Sequence, residues 1–155
     1  MTNLQPGESA PYFSMIGEAG PIALADFAGE KLVLYFYPKD DTPGCTTEGK
    51  DFSAHLSDFA AAGAHVVGVS RDTLAAHSKF RAKHELTIGL GADTEGAVTQ
   101  AYGVWSEKSL YGRKYMGIER ATFLIGRDGR IAQVWRKVKV ADHAAQVLAA
   151  ARALT

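Results

Sequence analysis

Short continuous apolar runs alternate along the chain with stretches whose apolar residues recur every three or four positions. Leu32-Val33-Leu34-Tyr35-Phe36-Tyr37 is aliphatic or aromatic throughout, the pattern of a strand buried on both faces. Pro38 ends it. From Thr42 the period changes. Thr42 suits an N-cap and Pro43 a first helical residue; Phe52, Leu56, Phe59, Ala60 and Gly63 then fall on one helical face. His65-Val66-Val67-Gly68-Val69-Ser70 predicts a second buried strand, and a second helix should run from about Thr73 to His84. Upstream, Tyr12 to Ile16 and Ile22 to Leu24 flank the turn Gly17-Glu18-Ala19-Gly20-Pro21. Downstream, Ala121 to Ile125 and Ile131 to Trp135 flank Gly126-Arg127-Asp128-Gly129-Arg130, whose Asp-Gly pair marks an antiparallel hairpin. Asp142 then caps a last helix, with Ala144, Val147, Leu148, Ala151 and Leu154 on its apolar face. Val104 to Glu119 is the least regular stretch, and its glycines predict a loop beside the site.

Strand, helix and strand make a βαβ unit with a right-handed crossover. Followed by a hairpin and a helix, the unit predicts an α/β thioredoxin-like fold: a central mixed sheet flanked by helices, with an N-terminal β-hairpin. A length of 155 residues suits a single domain over 1–155.

Charge and composition narrow the function. Lys plus Arg and Asp plus Glu both total 17, so the balance makes no case for nucleic acid or an anionic membrane as partner. No apolar stretch approaches the roughly 20 residues of a membrane-spanning helix. Met1 to Gly7 lacks the basic and apolar regions of a signal peptide. A lone cysteine allows no internal disulfide, and a cytoplasmic location is the expectation. His55, His65, His77, His84 and His143 show no metal-ligand spacing. No glycine-rich phosphate loop follows either buried strand, so neither a metal nor a cofactor is expected.

That leaves the cysteine. With Thr42 as cap, Cys45 is the third helical residue. Unpaired backbone N–H groups and the positive end of the helix dipole favour an anion there, and the thiolate is the nucleophilic form of the side chain. The C-terminal end of a buried strand is also where open α/β sheets place their sites. A small hydrophobe packed beneath a helix start is the competing reading, and local physics leaves the two open. Trp135 suits a core position on its hairpin, and Trp105 either a site rim or a partner surface.

The stretch Tyr35-Phe36-Tyr37-Pro38-Lys39-Asp40-Asp41-Thr42-Pro43-Gly44-Cys45-Thr46-Thr47-Glu48 resembles the active-site signature of peroxiredoxins, in particular the bacterioferritin comigratory protein or peroxiredoxin Q subfamily. Pro38, Thr42 and Cys45 supply its Pro-x-x-x-Thr-x-x-Cys core. Far downstream, Tyr102-Gly103-Val104-Trp105, Glu107-Lys108, Gly117-Ile118 and Arg120 are similar to the subfamily in type and order. The resemblance implies that Cys45 attacks a peroxide oxygen and becomes a sulfenic acid. Thr42 would hydrogen-bond the thiolate and the peroxide, Arg120 would stabilise charge on the leaving oxygen, and Pro38 would shield the sulfur. Glu48 either orients Arg120 or is a solvated carboxylate.

The subfamily's resolving cysteine often stands five residues after the peroxidatic one; that place is Lys50 here, and the Thr73 to His84 helix has no cysteine either. The resemblance is therefore to a one-cysteine peroxiredoxin, a monomer or weak homodimer. The resemblance implies an enzyme that would reduce hydrogen peroxide or alkyl hydroperoxides and be regenerated by an external thiol such as thioredoxin or glutaredoxin with glutathione. A peroxide-sensing switch oxidised once per signal is the alternative.

Overall fold

A computed structural model describes residues 3–155; Met1 and Thr2, at the head of the segment read for an export signal, lie outside it. A mixed seven-stranded sheet organises the chain in the order β2-β1-β5-β4-β3-β8-β9. Its strands are β1 (Ser14–Gly17), β2 (Gly20–Ala23), β3 (Lys31–Phe36), β4 (Ala64–Ser70), β5 (Gly89–Ala92), β8 (Ala121–Ile125) and β9 (Ile131–Trp135). A separate two-stranded sheet joins β6 (Trp105–Leu110) to β7 (Arg113–Ile118). The helices are α1 (Pro43–Ala54), α2 (Leu56–Ala61), α3 (Leu74–His84), α4 (Ala97–Ala101) and α5 (His143–Ala153).

The apolar run over β3 behaves as a doubly covered strand should. Leu32, Leu34 and Phe36 enter one core with Phe13, Tyr102 and Phe123. Val33, Tyr35 and Tyr37 enter the other with Phe52, Phe59, Phe80 and Val147, because successive side chains leave opposite faces of a strand. β3 pairs in parallel with β4 and antiparallel with β8, so its two neighbours arrive by different routes: one by the helical crossover, the other from the C-terminal hairpin. Lys31, buried at the start of β3, donates from Nζ to the Ala151 carbonyl at 2.7 Å and caps the C-terminal turn of α5, where a cation complements the dipole.

Four expectations need adjustment. The helix after Thr42 is interrupted at His55 (φ −97°, ψ 5°), giving α1 and α2 in place of one element, and Gly63 (φ +77°) lies beyond α2; Phe52 and Phe59 are both fully buried nonetheless. Thr42 does stand at the N-cap, but its hydroxyl donates to the Lys39 carbonyl at 2.8 Å instead of accepting from the helix. Asp142 occupies the cap of α5 in a left-handed conformation (φ 59°) and makes no side-chain cap bond. Val104 to Glu119 is not a loop; most of it is the β6–β7 hairpin. Its polar outer strand residues are exposed, so no buried face imprinted a period of two on them.

Candidate active site

The C-terminal end of β3 delivers the chain to Pro38, which is half-buried, and to the turn that precedes α1. Pro43 and Gly44 open the helix, and Cys45 follows in its first turn. The first helical hydrogen bond runs from Thr46 N–H to the Thr42 carbonyl (2.8 Å), so the amides of Gly44 and Cys45 precede the ladder and point from the positive end of the helix. Cys45 is 2% exposed.

Register brings the second component. Ala121 pairs with Phe36 in the antiparallel β3–β8 ladder, so the residue just before β8 falls beside the end of β3. That residue is Arg120. Its Nη2 donates to Cys45 Sγ at 3.3 Å, and its Nη1 donates to Glu48 Oε1 at 2.6 Å. Glu48 lies one turn beyond Cys45 on the same helix and is 1% exposed, so a solvated carboxylate is not what the sequence encodes there. Gly44 makes room for the guanidinium: a Cβ at that position would sit 3.1 Å from Arg120 Nη2.

The electrostatics follow from burial. Desolvation pushes the Glu48 carboxyl up to about 7, against the pull of the Arg120 charge and hydrogen bond. Burial works against the Arg120 cation, but the charges of Glu48 and Cys45 outweigh it and the net shift is upward. Glu48 Oε2 and the Tyr35 hydroxyl are buried without a hydrogen-bond partner among the described residues.

A clasp that sequence reasoning missed holds the turn between Pro38 and Thr42. Tyr37 donates its hydroxyl to Asp40 Oδ1 (2.6 Å), and His77 of α3 donates Nδ1–H to Asp40 Oδ2 (2.6 Å) and Nε2–H to the Gly91 carbonyl (2.9 Å). The Gly91 carbonyl can only accept, so Nε2 carries a proton, and a second proton on Nδ1 would face the Asp40 carboxyl. Burial lowers its affinity for the second proton, but Asp40 and the Gly91 carbonyl raise it further, and the net direction is up. Asp40 N–H also reaches Asp72 Oδ2 (2.8 Å), and Asp41 binds Lys83 and His84 (2.8 and 2.7 Å). A signal did exist: His77, Phe80 and His84 share one stripe of α3, which puts His77 on an apolar face where a histidine needs partners.

Trp105 is half-buried at the foot of the hairpin, with the Arg71 guanidinium 3.3 Å above its ring centre. Trp135 packs half-buried against His143. Lys50 is exposed. A cavity of about 500 Å³ opens between Phe27, Leu56, Ala60 and His65, but it lies by the N-terminal ends of β3 and β4, at the far end of the sheet from Cys45 and Arg120. It holds no nucleophile.

Comparison with known proteins gives this geometry its context. A profile of the AhpC/TSA family matches residues 6–134. Peroxiredoxin Bcp of Bacillus subtilis is 47% identical over 146 residues, covering 94% of this chain and 93% of that one. Peroxiredoxin Bcp of Xanthomonas campestris is 53% identical over 126 residues, 81% and 79% of the two chains. A cysteine-to-serine variant of Xylella fastidiosa PrxQ superposes with a TM-score of 0.93 at 39% identity, over 99% of this chain and 98% of that one. The X. campestris bacterioferritin comigratory protein, in a study of its alkyl peroxide reduction activity, superposes at 0.89 with 45% identity over 96% and 98%. With its helix-start cysteine under an arginine and its thioredoxin-like sheet, the chain belongs to the AhpC/TSA family, among the Bcp/PrxQ peroxiredoxins, as a thiol-dependent peroxidase with one cysteine.

Proposed function

We propose that Cys45 is the peroxidatic residue and that Arg120, Thr42, Pro38 and Glu48 serve it. The Cys45 thiolate attacks the nearer oxygen of hydrogen peroxide or an alkyl hydroperoxide. The S–O bond forms as the O–O bond breaks, the departing oxygen takes a proton and leaves as water or alcohol, and Cys45 becomes a sulfenic acid. One observation carries this reading: a single guanidinium, held by a buried carboxylate, donates to the sulfur. A planar fork so anchored costs little reorganisation as charge moves from sulfur to the leaving oxygen. Glu48 positions Arg120. Thr42, held by its bond to the Lys39 carbonyl, keeps oxygen lone pairs available to accept from the peroxide. Pro38 screens the sulfur from water.

Regeneration requires an external thiol, since no second cysteine is present; thioredoxin, or glutaredoxin with glutathione, supplies it in the cytoplasm. Steady-state peroxide consumption tests this directly. With hydrogen peroxide and either thiol system, many equivalents of peroxide should be consumed per Cys45. A single equivalent with both systems would instead establish a sensor that is oxidised once.

A further inference from the structure

The β6–β7 hairpin carries what the proposed reaction still lacks: a place for the reductant. Among the described residues, six large hydrophobic side chains are prominently exposed, and four of them, Leu110, Tyr111, Tyr115 and Met116, lie at the outer part of this one hairpin. The hairpin pairs with no strand of the main sheet. Its turn is Tyr111-Gly112, with positive φ at both residues (51° and 77°), the two-residue geometry that favours Asn-Gly. A tyrosine in the left-handed region is an uncommon choice for so bulky a residue, and this one is 96% exposed. It gains no packing from its place, and backbone preference does not explain it.

The two faces of the hairpin differ. Residues directly opposite in an antiparallel pair share a face, so Lys108 with Tyr115 and Leu110 with Arg113 form one face. Neither Lys108 nor Arg113 has an ion-pair partner among the described residues, whereas Lys114 on the other face pairs with Glu107 at 3.6 Å. The first face is thus apolar and cationic. The base of the hairpin is tied to the site. Arg71 stacks on Trp105, the Glu119 N–H bonds the Val104 carbonyl at 2.7 Å, and the next residue is Arg120, in contact with Cys45 Sγ. Six residues of strand reach about 20 Å, so a macromolecule seated on the hairpin can also cover the cysteine.

We infer that this face docks an acidic protein dithiol that reduces oxidised Cys45. The inference rests on the function proposed above. The partner's first thiolate attacks the sulfenic sulfur, and the hydroxyl leaves with one proton as water, giving a mixed disulfide. The partner's second thiol then displaces Cys45 as the thiolate, and the partner departs as its own disulfide. A small apolar patch flanked by the exposed Arg113 and the half-buried Lys108 suits such a brief encounter, because transient redox interfaces are among the smallest, below about 1,200 Å², and charge chiefly sets their association rate.

Stopped-flow measurement separates the two half-reactions. Wild type, Tyr111→Asn/Tyr115→Ser and Arg113→Glu are each oxidised by one equivalent of hydrogen peroxide. Each is then reduced by an acidic bacterial thioredoxin, by glutathione or by dithiothreitol. Both variants should match wild type in oxidation by peroxide and in reduction by dithiothreitol. Thioredoxin should reduce both variants about tenfold more slowly, the size expected for loss of a contact worth about 1.4 kcal/mol, and the Arg113→Glu deficit should shrink with added salt. Equal thioredoxin rates in all three proteins would overturn the inference. So would reduction of wild type by thioredoxin no faster than by glutathione, or variants that are equally slow in oxidation by hydrogen peroxide and in reduction by dithiothreitol. Slow oxidation of wild-type Cys45 itself would mark failure of the underlying peroxidase reading, a result visible before any reductant is added.

Discussion

Glu48 anchors the arginine that reaches the sulfur. It is buried, and desolvation brings its carboxyl to about 7. Ionised, it holds Arg120 in an ion pair; protonated, it leaves a weaker hydrogen bond in which only the guanidinium is charged. As the pH falls through about 7, the rate of peroxide attack should therefore drop as Glu48 takes up its proton. In Glu48→Gln that inflection should vanish, with the rate at pH 8 lowered about tenfold, the scale of one weakened charge-assisted interaction. Stopped-flow rate–pH profiles of the two proteins check this, and an inflection near 7 that persists in the variant would assign it elsewhere. Cys45 and Arg120 were legible in the sequence because their motifs are distinctive. The burial of Glu48 was not, because a carboxylate one turn into a helix reads as solvated until β8 is known to lie alongside.

At the scale of elements, the turn between β3 and α1 is pinned to α3 and β5 by Tyr37, Asp40 and His77. A doubly protonated His77 held by a carboxylate stabilises the folded chain fully below the histidine's unfolded value near 6.5, and that contribution is lost as the pH rises through the raised folded value. His77→Ala should cost about 3–5 kcal/mol near pH 6, the range for removing one partner of a buried pair, read as a lower urea midpoint. The difference between the proteins should narrow as the pH rises through the raised folded value. A constant difference would mean that His77 contributes packing alone. The strands β3, β4, β8 and β9 could be read from the sequence because burial gives them continuous apolar runs or a turn with an Asp-Gly pair. β5 could not: Gly89-Leu90-Gly91-Ala92 is half glycine, which strand patterns penalise. The hairpin of β6 and β7 was hidden for the opposite reason, since exposure on both faces of its outer half leaves no alternation to find.

The whole molecule sets a cysteine and a carboxylate from one helix and an arginine at the head of a strand more than 70 residues downstream within hydrogen-bond reach. The sheet achieves this by topology. The parallel β3–β4 pair brings α1 across one face, and the antiparallel β8 returns Arg120 to the same end. The thioredoxin-like order was legible in outline from the succession of periods; the register that aligns Ala121 with Phe36 was not, because it depends on contacts between strands 85 residues apart. The central claim is that this assembly activates Cys45 toward peroxide. Mixing reduced protein with hydrogen peroxide in a stopped-flow instrument, following tryptophan fluorescence and identifying the product by intact mass, tests it most directly. The oxidation should be bimolecular and at least about 10³-fold faster than that of free cysteine, a gain of about 4 kcal/mol. The product should be a sulfenic acid, and Cys45→Ser should give no signal. Oxidation of Cys45 at the rate of free cysteine would mean that its surroundings do not activate it.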